Sequence, residues 1–108
     1  MKQQSIWISY DLGIKGDYPG LYRWLDGHKA KECGDSIAFL KYSYEEDLIG
    51  ELKKDISESI ELNKRDRIYV TFKRDNKGDV VGAFIAGNRK ASPWEGYAPS
   101  GDEKVLDE

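Results

Sequence analysis

The chain has 108 residues, 39% of them hydrophobic and 34% charged, with a net charge of −3. That length fits one domain whose core removes roughly 60–68% of the unfolded surface from water. No run approaches the ~20 apolar residues of a membrane helix, and the N-terminus leads straight into a strand pattern without a signal-like apolar region, so a cytoplasmic protein with no membrane role is expected.

The single cysteine, Cys33, allows no intrachain disulfide, and one cysteine with one histidine exclude a structural zinc site from this chain alone. Charge is unevenly spread. Residues 43–62 carry two basic and seven acidic groups, and residues 63–92 carry eight basic and three acidic. The basic part contains Lys64, Arg65, Arg67, Lys73, Arg74, Lys77, Arg89 and Lys90, a set that suits phosphate contact in a chain that is not basic overall.

Ser5–Tyr10 reads as a strand that delivers Asp11 to its tip, followed by a loop with Gly13 and Gly16. Gly13-Ile-Lys-Gly16 lacks the spacing of a phosphate-binding loop. A first helix is expected over 17–27, capped by Asp17, with Tyr18, Leu21, Tyr22 and Leu25 on one face and Trp24 off it. Ala30–Cys33 and Ser36–Tyr42 read as strands joined at Gly34-Asp35. Ser43-Tyr-Glu-Glu46 matches a capping box, which predicts a second helix over 44–61 with Leu48, Ile49, Leu52, Ile56 and Ile60 as its apolar stripe. Arg67–Lys73 alternates as a strand, 75–79 is a hairpin loop, and Val80–Ala86 is the return strand. Residues 87–99 have no period, and 100–108 read as an acidic, mobile tail outside a single domain of 1–99.

The order β-α-β-β-α-β plus one more strand is the ferredoxin-like arrangement, an α+β fold with two helices on one face of an antiparallel sheet. Alternation places Ile6, Ile8, Ile37, Phe39, Ile68, Val70 and Phe72 under the helices, and Trp7, Ser9, Tyr69 and Thr71 on the other face with Asp11 at its margin. An aromatic sheet face left open needs a cover. The candidates are a second subunit, the segment with Pro93, Trp94 and Tyr97, or stacked bases.

Tyr10-Asp11-Leu12, the glycine-containing loop, the helix with Tyr18 and Leu21-Tyr22, and Asp35-Ser36 at a strand start resemble the small CRISPR-associated endoribonuclease family of the adaptation complex. The pattern is nearer its stand-alone SinR-like relatives. Arg65-Asp66-Arg67-Ile68-Tyr69-Val70 and Pro93-Trp94-Glu95-Gly96-Tyr97 extend the resemblance, which covers roughly residues 5–97 in short motifs. It implies a homodimer in which Asp11, one per subunit, is the catalytic position and helps hold Mg2+ or Mn2+ against a phosphodiester. No second carboxylate is placed beside Asp11 by the pattern; Asp17 is better used as a cap.

RNA-recognition modules share this element order. Ala38-Phe39-Leu40-Lys41-Tyr42 and Ile6-Trp7-Ile8 resemble parts of their motifs, but Asp35-Ser36-Ile37 stands where a basic-Gly-aromatic start is needed, and Phe39 falls on the core side in this register. That similarity reads as shared fold rather than function. His28 has no evident acid partner and reads as solvated or as a helix C-cap. The expected function is association with RNA or DNA, with Trp7, Arg74, Lys77, Arg89 and Lys90 as contacts. The alternative is a non-catalytic module that binds a protein partner through its exposed sheet face and the acidic helix carrying Glu45, Glu46, Asp47, Glu51, Asp55, Glu58 and Glu61.

Overall fold

The computed structural model describes residues 1–74 and 76–99; Asp75 and the acidic segment 100–108, expected to be a mobile tail, lie outside the described residues. The elements are β1 (Lys2–Asp11), α1 (Tyr18–Gly27), β2 (Lys31–Glu32), β3 (Ile37–Tyr44), α2 (Leu48–Ser59), β4 (Arg67–Lys73) and β5 (Val80–Ala86). The strands form one sheet in the order β2-β3-β1-β4-β5, and every neighbouring pair is antiparallel. This is the ferredoxin-like order with β5 added beside β4. Among the described residues, no helix is long and apolar enough to cross a membrane.

One face of the sheet is covered by the helices. Ile6 and Ile8 of β1, Ala38, Leu40 and Tyr42 of β3, and Ile68 and Val70 of β4 pack against Leu21, Trp24 and Leu25 of α1 and Leu48, Leu52 and Ile56 of α2. Full burial of Leu52 or Ile56 contributes about 1.5–3 kcal/mol each. A bulge at Ile85, between the pairs Ile68↔Ala86 and Tyr69↔Phe84, leaves that residue unpaired and buried in the core. Just beyond it, Gly87 has φ +77°, and a Cβ there would collide with the backbone at Asp66 and Arg67, so the chain turns off β5 at a residue without a side chain.

Three expectations are corrected here. Trp7 pairs with Phe39 and Ser9 with Ile37, so Phe39 and Ile37 share the open face, while Ala38 and Leu40 turn toward the helices. The run Ile37–Tyr42 is apolar enough on both faces that its own pattern does not choose; pairing with β1 does. Next, Ser43 lies inside β3, and the N-cap of α2 is Asp47, whose side chain accepts from the Gly50 amide. The returning carboxylate is Glu51, which accepts from the amides of Glu45, Glu46 and Asp47 and is held below the usual carboxylate range by those bonds. Finally, the buried stripe of α1 is Leu21, Trp24 and Leu25; Tyr22 is exposed.

Asp17 caps α1 as expected, accepting from Gly20 at 3.0 Å. Its second oxygen accepts from the Glu61 amide at 3.0 Å, which ties the start of α1 to the chain after α2.

Candidate nucleic-acid interface

Directly paired residues in an antiparallel sheet point the same way, so the register defines the open face. Across its middle run Lys31, Phe39, Trp7, Thr71 and Gly82. The next row is Ile37, Ser9, Tyr69 and Phe84, and the pair Asp11–Arg67 ends it. Two aromatic pairs stand on this surface. The Trp7 and Phe39 rings have centroids 5.0 Å apart, and Tyr69 meets Phe84 edge-on at 4.8 Å. Trp7 is 43% exposed. Tyr69 lies diagonally from Trp7, a backbone spacing of roughly 7–8 Å. The Tyr69 ring covers Gly82, where even a methyl group would overlap it.

Charge on this face is one-sided. Lys31, Lys41, Lys73 and Arg67 share it by register, and the Arg89 guanidinium lies 5.8 Å from the Tyr69 ring centre and 5.5 Å from that of Phe84. Among the described strand residues, Asp11 is its one carboxylate. Arg67 Nη2 donates to Asp11 Oδ2 at 3.3 Å, with the Asp11 side chain 65% exposed. Ser9, Asp11, Arg67, Tyr69, Phe84 and Arg89 line a hollow of about 180 Å3. On the other side of Asp11, Lys15, Lys64 and Arg65 border a larger hollow at the sheet end.

The sequence-derived contact residues do not form one cluster. Trp7 and Arg89 lie on the open face. Arg74 and Lys77 sit in the β4–β5 hairpin, whereas Arg89 and Lys90 follow β5 at the other end of that strand pair, roughly 20 Å away. Arg74 is held by Asp79 through both Nε and Nη2, so its guanidinium is engaged within the hairpin. Lys77 and Lys90 are exposed. Phe39, Lys41 and Phe84 were not among the expected contacts, because the pairing of β3 with β1 and of β5 with β4 decides which of their residues share the face of Trp7.

Asp11 stands at the tip of β1, but one chain's residues do not fit a magnesium or manganese ion there. The carboxylate is single and an arginine shares its Oδ2. Among the described residues no group of three His, Cys, Asp or Glu side chains is placed to hold a metal. A buried carboxylate that the sequence left unremarked, Asp66, supports the loop after Asp11. It is 1% exposed and accepts from the amides of Gly13 at 2.9 Å and Asn63 at 2.8 Å. Trp94 and Tyr97 remain exposed, so the C-terminal segment does not bury its own aromatics on the sheet.

Three of the acidic groups on the helix side are engaged within the fold. Asp47 and Glu51 cap α2, and Asp55 Oδ2 accepts from Tyr42 Oη at 2.9 Å and Trp24 Nε1 at 3.2 Å. His28 joins them: Nδ1 donates to the Trp24 carbonyl at 2.9 Å, and Nε2 stands 3.8 Å from Asp55 Oδ2. The histidine does have an acid partner, supplied by the other helix. Burial, and then the bond to Asp55, hold the Tyr42 hydroxyl above the usual tyrosine range. A raised folded-state pKa means that the stabilisation is complete below about pH 10 and is lost as pH rises beyond it. In pH-dependent urea denaturation, Tyr42→Phe therefore flattens the alkaline fall in stability, at a loss of about 1 kcal/mol near neutrality. An alkaline limb identical to wild type would contradict this.

The chain matches no protein-family model, no curated protein and no solved structure.

Proposed function

We propose that this protein binds single-stranded nucleic acid across the open face of its sheet. Bases stack on Trp7–Phe39 and on Tyr69–Phe84, phosphates meet Lys31, Lys41 and Lys73, and Arg67 and Arg89 add positive charge beside the second pair of rings. The observation that carries this reading is the pairing of two aromatic platforms with five cations on one face of a net acidic chain. Only unpaired strands expose base faces to such rings, and ring stacking accepts any base. Lysines and arginines around the rings supply the sequence-independent attraction.

The test is fluorescence anisotropy with labelled ten-nucleotide strands of RNA and DNA, alone and as duplexes. Single strands bind more tightly than duplexes. With three to five phosphate contacts, affinity falls by about 10–100-fold between 50 and 200 mM salt. Equal binding of duplex, or no retention of either form at low salt, would reject the reading.

The metal-nuclease expectation needs a homodimer that brings a second Asp11 across a two-fold axis. Sedimentation showing only the 12.3 kDa species at micromolar concentration would remove it. Divalent-dependent cleavage of the probe, lost in Asp11→Asn, would establish it.

A further inference from the structure

We infer that the hollow at the end of the open face selects guanine, with Asp11 and Arg67 together reading the edge of the base. This rests on the single-strand reading above and adds a base preference to it. The hollow, about 180 Å3, has Tyr69 and Phe84 as its apolar part. The Arg89 guanidinium over those rings offers a flat surface on which a base stacks.

The polar edge of the hollow is what discriminates. A carboxylate only accepts hydrogen bonds, and a guanidinium only donates. Asp11 and Arg67 are neighbours joined by one long bond at 3.3 Å. Among the described residues, Asp11 Oδ1 accepts from no donor, and the side chain is largely exposed. Side by side they present acceptor, acceptor, donor. The Watson–Crick edge of guanine presents the complement: the N2 amino group and N1–H donate, and O6 accepts. Uracil has one donor between two acceptors. Adenine and cytosine place a bare ring nitrogen beside their amino group, which would face the carboxylate.

Charge points the same way. A carboxylate among five cations opposes phosphate binding, but it favours a base edge rich in N–H donors. The other platform, Trp7–Phe39, is flanked by Lys31 and Thr71 and has no carboxylate beside it in the register. That position takes any base.

The experiment compares three labelled ten-nucleotide RNA strands by anisotropy at fixed salt: all uridine, uridine with one central guanosine, and uridine with one central adenosine. A single guanosine avoids self-association of guanine runs. Wild type binds the guanosine strand about tenfold more tightly than the other two, the scale of one bidentate base contact. In Asp11→Asn the preference falls to within about twofold, because one acceptor becomes a donor that meets N1–H. Its affinity for the all-uridine strand rises, because a negative charge has left a phosphate-binding face. Equal binding of all three strands by wild type, adenosine matching guanosine, or a guanosine preference that survives Asp11→Asn would each overturn the inference while leaving single-strand binding intact. Failure of every strand to bind would overturn both.

Discussion

Asp66→Ala lowers the stability of this protein by about 3 kcal/mol, because two backbone amides lose a charged acceptor at once. The side chain is 1% exposed and bridges Gly13 and Asn63, the loops after β1 and before β4. A hydrogen bond to a charged group contributes about 1.5–3 kcal/mol, which is a large share of the 5–15 kcal/mol total expected for a domain. Asp66→Asn keeps one acceptor oxygen and loses less. Urea denaturation gives the free energy, and amide exchange at Gly13 and Asn63 shows where it is lost. Because Gly13 follows Asp11 by two residues, the loop at the tip of β1 loosens as well. A stability within about 0.5 kcal/mol of wild type, the ordinary range of surface substitutions, would mean that these bonds are not what fastens the loop.

The double substitution Trp7→Ala with Phe39→Ala weakens single-strand binding by about 100-fold, and Trp7→Ala alone by about tenfold, since base–aromatic stacking contributes about 1–3 kcal/mol per base. The two rings are neighbours on the open face, so they form one platform and their effects are coupled. The core is on the other side of the sheet, so far-ultraviolet circular dichroism stays native. Affinity equal to wild type in a folded double variant would show that the strand does not cross this face.

β4 and β5 were legible to the residue as Arg67–Lys73 and Val80–Ala86. In β4 the alternation of Ile68, Val70 and Phe72 with Tyr69 and Thr71 is itself the two faces of the strand. Asp17 as the cap of α1 was legible for the same reason: its partner, Gly20, is three residues away. β3 was legible as a strand but not in its facing, and with it went the recognition that Phe39 lies beside Trp7.

The sequence by itself determined the order of elements, the two apolar helix faces in outline and the segregation of charge, because each depends on residues within one or two turns of one another. Only the tertiary structure decided which side of β3 faces outward, that Arg89 lies over Tyr69 and Phe84, that Asp55 of α2 gathers Trp24, Tyr42 and His28, and that Asp66 reaches back to Gly13. Those facts depend on pairing between distant segments. A one-residue slip exchanges the two faces of a strand, and a buried carboxylate finds its donors only after both loops have been brought together.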